Sequence, residues 1–84
     1  MKNDAKIAAR NVYAAAREAE AAARAINLPA ARDAIEDMHD ALAMLESFDE
    51  DMYEVMLVVA MDADESVGRL RDEQIKNVVV DIVK

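Results

Sequence analysis

The sequence contains no cysteine, no threonine and no tryptophan, and only one glycine (Gly68) and one proline (Pro29) among its 84 residues. Without cysteine there is no disulfide, no thiolate nucleophile and no sulfur-ligated zinc or iron–sulfur site, and such a chain suits a reducing compartment. Sheet proteins draw on turn residues and on β-branched residues throughout the chain, so one glycine, one proline and no threonine exclude an all-β fold. A single glycine also excludes the glycine-rich loops that cradle phosphates or dinucleotides. The longest uncharged apolar run, residues 55–61, has seven residues, against the roughly 20 that span a bilayer. The opening Met1-Lys2-Asn3-Asp4 is polar and holds no apolar signal core. The expectation is a cytoplasmic protein with no membrane partner.

Alanine is what the chain has in abundance, with 18 residues. Alanine has the highest helix propensity and adds little buried area per residue. Ala8, Val12, Ala15, Ala19, Ala22 and Ile26 follow alternating steps of four and three, which predicts a first helix over about 4–26. Asn27-Leu28-Pro29 ends it, because the residue before proline avoids the helical region while proline suits a first turn. A second helix over about 29–46 then carries the seam Ala31, Ile35, Met38, Leu42 and Leu45, with Phe48 at its end. Its larger side chains face the small ones of the first helix, as in an antiparallel hairpin with close backbones.

Ser47-Phe48-Asp49-Glu50 fits a capping box and predicts a third helix over about 48–61. Residues 62–68 read as a loop or junction, and a fourth helix over about 69–83 follows. The fold class expected is all-α, a helical hairpin extended to a small three- or four-helix bundle. Residues 55–61 and 78–83 are also rich in β-branched side chains, and a strand is the competing reading. The third helix is apolar on nearly every side, so one copy of an 84-residue chain can cover it only in part. Tyr53, Leu57 and Met61 share its uncovered face and are the expected contact of a homo-oligomer.

Charge is distributed unevenly. Residues 1–32 carry net +3, residues 33–65 carry twelve acidic and no basic side chains, and residues 66–84 carry net +1. Asp33, Glu36, Asp37 and Asp40 recur at i, i+3, i+4 and i+7, so they share one face of the second helix, while Asp49, Glu50, Asp51 and Glu54 cluster at the start of the third. Acidic faces of this kind choose partners and speed encounter. The expected partner is a basic protein surface, such as that of a nucleic-acid-binding protein, which the acidic segment would occupy as a nucleic-acid mimic. Direct nucleic-acid binding is not expected, since the net charge of −8 opposes a polyanion. Lys6, Arg10, Arg17 and Arg24 lie near one stripe of the first helix without interleaved aromatics. That stripe is instead expected to meet the acidic segment, within the chain or across a dimer.

Catalytic residues are scarce. His39 and Ser47 stand eight positions apart, too far for a hydrogen bond on one helix, so the chain is read as a non-enzymatic protein without a cofactor. Glu36 and His39 form a Glu-x-x-His pair, the spacing by which helix bundles put a carboxylate and an imidazole on one metal, and a dimeric metal-binding bundle is the alternative function. Asp62, Asp64, Ser66 and Glu73 match positions 1, 3, 5 and 12 of a calcium-binding EF-hand loop, but the position that needs glycine is Val67. Neither serine follows an aspartate as in acyl-carrier domains. Small acidic helical inhibitors carried by phages, including anti-CRISPR proteins, are similar in size, composition and charge. That likeness is one of class and has no shared motif behind it.

Overall fold

The alanine-rich first third of the chain folds into one long helix. The computed structural model describes residues 3–83, which form three helices and no strand: α1 (Asn3–Arg24), α2 (Leu28–Phe48) and α3 (Glu50–Val83). Val12, Ala15 and Ala16 of α1 gather with Met38, Ala41 and Leu42 of α2 and with Ala60 and Ala63 of α3 in one apolar cluster. A second cluster joins Ala5 and Ala8 to Leu45, with Met52, Tyr53 and Met56 against them. The start of α1 therefore lies beside the end of α2 and the start of α3, so α2 runs back along α1 and α3 runs forward again. Among the described residues all fifteen buried side chains are hydrophobic, and eleven of them are alanine. Methyl groups in a row let helix axes approach towards the lower end of the usual spacing of about 8–10 Å.

Several expected details differ, each for a local reason. The buried stripe of α1 ends on Ala19 and Ala23, not on Ala22 and Ile26, because a straight helix turns every 3.6 residues and drifts away from a strict 3.5-residue seam. Ile26 is not helical at all. It takes φ 61°, its amide donates to the Ala23 carbonyl, and the Asn27 amide donates to the Ala22 carbonyl. Together these bonds are the Schellman ending, in which the left-handed residue is usually glycine. Here a β-branched residue takes that position, 70% exposed, which stores backbone strain. Asn27 then caps α2 by accepting from the Ala30 amide at 3.3 Å, with Pro29 in the first turn.

At the second junction the cap is Asp49, not Ser47. Helix α2 continues through Phe48, and the Ser47 hydroxyl donates back to the Met44 carbonyl at 2.7 Å. The extended Asp49 accepts from the Met52 amide at 3.1 Å and so starts α3 one residue after it. The expected loop at 62–68 is helical, and the third and fourth helices are one element of 34 residues. Aspartate, glutamate and serine are only mildly unfavourable inside a helix, and Gly68 keeps a φ outside the positive region. No proline or left-handed residue stops the chain there, and burial of Ala60 and Ala63 holds it helical. The segments 55–61 and 78–83, for which a strand competed, are helical as well.

The length of α3 shapes the molecule. At about 1.5 Å per residue it is about 51 Å long, against about 33 Å for α1. The Gln74 side-chain amide donates to the Ala23 carbonyl at the end of α1, 2.9 Å away. Residues 75–83 therefore run on for about 13 Å beyond the other two helices, in a molecule 56 Å in its longest dimension.

Candidate functional site

On α2, the residues one turn apart that do not face α1 or α3 are acidic. Asp33, Glu36, Asp37 and Asp40 are all exposed, and none forms an ion pair among the described residues. Met44, one turn beyond Asp40, is 55% exposed on the same face. Glu50, Asp51 and Glu54 are exposed in the first turns of α3, whereas Asp49 is half-buried and committed to capping. The eight expected partner-binding carboxylates thus form two groups at different levels of the molecule, separated by the second half of α2.

The structure brings a different acid to the α2 group. His39 Nε2 lies 3.0 and 3.2 Å from the two carboxylate oxygens of Asp64. The packing of α3 against α2 allows this contact and places residues 62–65, with the carboxylates of Asp62, Asp64 and Glu65, beside the middle of the α2 stripe. Both side chains are substantially exposed, so the pair adds little stability. Sequence spacing could not find this contact, because it depends on how two helices cross and not on the repeat within either. His39 is turned to Asp64, and no group of three or more His, Asp or Glu side chains that could hold a metal ion comes together among the described residues.

The cations of α1 stay apart from these acids. Lys6, Arg10, Arg17 and Arg24 are exposed. Arg24 pairs with Glu20 on its own helix at 3.6 Å. Arg17 donates to the Tyr13 hydroxyl at 3.1 Å and stacks 5.7 Å from the ring centroid. That hydrogen bond raises the guanidinium pKa above its ordinary value. The expected pairing of this stripe with the acidic segment within one chain does not occur among the described residues, where the ion pairs of arginine are Arg24–Glu20 and Arg71–Asp72 and the contact of Asp64 is to His39.

Of the three residues expected at an oligomer contact, Tyr53 and Leu57 are half-buried against the core, and only Met61 is largely free. The register of α3 explains the difference: Ala60 and Ala63 point inward, which turns Tyr53 and Leu57 to the flank and leaves Val55, Val58 and Met61 outermost. Between α2 and α3 a cleft of about 510 Å3 opens, with Leu28, Pro29, Ile35, Val67 and Gly68 as its apolar lining and Arg32, Asp33, Asp64 and Arg71 around them. No described helix is long and apolar enough to cross a membrane. Comparisons with protein-family models, with curated proteins and with solved structures return no match to this chain.

Proposed function

We propose that the protein is a small cytoplasmic, non-enzymatic interaction module, a helical bundle that self-associates and docks its acidic α2 face on a basic protein surface. The observation that carries this reading is the set Asp33, Glu36, Asp37 and Asp40, four exposed carboxylates on one helical face without an ion-pair partner among the described residues. Like charges three and four residues apart on a helix repel and weaken it by a few tenths of a kcal/mol per pair, and a cationic partner relieves that repulsion. The acids at the start of α3 have a second use, since they favour the helix dipole; those of α2 extend beyond the first turn and do not. His39 draws Asp64 into the same surface, so the docking face spans α2 and the middle of α3. A basic surface that normally holds nucleic acid fits such a face, and occupation of it would make the protein a competitive inhibitor.

The test is affinity capture from the native host with the unmodified protein and the Asp37→Lys/Asp40→Lys variant as parallel baits, followed by titration of the identified partner at stepped salt. The expected result is loss of binding on double reversal, with an unchanged helical spectrum. Binding by the unmodified chain should weaken steeply as salt shortens the screening length below about 8–10 Å. A partner that binds both forms equally and is indifferent to salt would mean that the acidic face serves only solubility.

A further inference from the structure

The seam between α2 and α3 changes character along its length. At one level His39 meets Asp64 across it. The two helices run in opposite directions, so each step towards the start of α2 is matched by a step along α3. Ile35 and Gly68, each four residues from that contact, therefore stand opposite each other, and so do Arg32 and Arg71, each seven residues from it. All four line the cleft of about 510 Å3 between these helices. Steps of four and seven stay on one helix face. The positions that set an imidazole against a carboxylate at one level thus set two guanidinium groups against each other two turns further on.

Gly68 keeps this cleft open. It has no positive φ, nothing lies within 4 Å of the place where its Cβ would stand, and a mid-helix glycine weakens a helix relative to alanine. Neither backbone conformation nor packing requires glycine there, whereas a larger side chain would extend into the cleft that Gly68 lines. The arginines are not neutralised within it. Arg32 has no ion pair among the described residues, and Arg71 has only its exposed neighbour Asp72 at 3.6 Å, a contact that adds little. Of the two acids at the cleft, Asp64 is held by His39, and Asp33 stands with Asp37 and Asp40 on the outer face of α2.

We infer that the cleft binds a small aliphatic carboxylate, its head between Arg32 and Arg71 and its chain over Gly68, against Ile35 and Val67. The volume of about 510 Å3 falls within the roughly 300–1,000 Å3 of small-molecule sites. Guanidinium groups hold a carboxylate through forked, charge-assisted hydrogen bonds, and an anion between two of them removes their mutual repulsion. Asp33, Asp64 and the net charge of −8 oppose a second negative charge, which favours a carboxylate over a doubly charged phosphate. From the arginines down to the His39–Asp64 contact the seam runs about 10 Å, the reach of an octanoate chain. This site depends neither on the acidic docking face nor on self-association.

The test is titration of the 15N-labelled chain with octanoate, octan-1-ol and inorganic phosphate, followed by amide shifts. The expected result is a saturable octanoate shift centred on Ile35, Val67 and Gly68. Octan-1-ol and phosphate should each bind at least about tenfold more weakly, since one lacks the charge and the other the apolar chain. Arg32→Gln/Arg71→Gln should weaken octanoate at least about tenfold and leave octan-1-ol unchanged. Gly68→Leu should abolish the shifts at Ile35 and Val67 with an unchanged helical spectrum; if that variant does not fold, the arginine variant decides alone. Equal binding of octanoate and octan-1-ol, or octanoate binding that survives loss of both arginines, would reduce the cleft to an apolar surface and overturn the inference. Phosphate binding as tight as octanoate overturns the apolar part of the site. Shifts that are absent, or that fall on residues 75–83 in place of the cleft, overturn it altogether.

Discussion

Helices α1 and α2 bury small or slender side chains against each other, while α3 leaves large branched ones in water. Of the fifteen buried residues thirteen lie on α1 and α2, and α3 contributes only Ala60 and Ala63. Val55, Val58, Val78 and Ile82 of α3 are each more than half exposed. A face that one copy does not need for its core is available for association. The first pair of helices therefore holds the fold, and the outer side of α3 is the contact that the proposed self-association would use.

The sharpest way to break this division is in the α1–α2 core. Met38 is fully buried at the centre of the cluster shared by all three helices. Met38→Ala should cost about 2–5 kcal/mol, measured by urea unfolding at a concentration low enough to keep the chain monomeric. Enlarging a small buried residue should cost less: Ala19 is completely buried, and Ala19→Leu should lower stability by about 1–3 kcal/mol through overpacking. An unchanged or raised melting temperature in either variant would show that the α1–α2 contact is looser than described.

At the tip between those helices the sign reverses. Ile26 holds φ 61° while its side chain is mostly in water. Ile26→Gly should therefore stabilise by up to about 1.5 kcal/mol, since about 1–2 kcal/mol of left-handed strain is relieved and about 0.5–1 kcal/mol is lost to glycine's freedom in the unfolded chain. The smallest effect belongs to the outer face of α3. Val58→Ser should change the stability of the monomer by no more than about 0.5 kcal/mol while weakening association in sedimentation. A large loss of monomer stability would place Val58 in the core and erase the contrast.

The parts of the fold legible in the sequence were those set by repeats within one helix. The steps through Ala8, Val12, Ala15 and Ala19 and through Met38, Leu42 and Leu45 are buried as read, and Asn27-Leu28-Pro29 does separate α1 from α2. Three points escaped for physical reasons. Ser47 and Asp49 both suit a helix start, and competition between them was settled by Ser47 donating to the Met44 carbonyl. Residues 62–68 carry polar residues and glycine, yet a helix continues through weak formers when neighbouring alanines are buried. The contact between His39 and Asp64, and the turning of Tyr53 and Leu57 towards the core, depend on where α3 lies against the other two helices. No spacing within a single helix encodes that placement.

Hydrogen exchange along α3, followed as protein concentration rises, tests the division between fold and contact most directly. Beyond Gln74 one copy offers residues 75–83 nothing to pack against, so their amides should exchange almost as fast as in an open helix end when the chain is dilute. Amides of buried α1 and α2 residues such as Val12 and Met38 should be protected at every concentration. The account predicts that protection of residues 75–83, and of residues 55–61 with them, rises together with dimer formation. Protection of both segments that is high at low concentration, or that never changes with concentration, would contradict it.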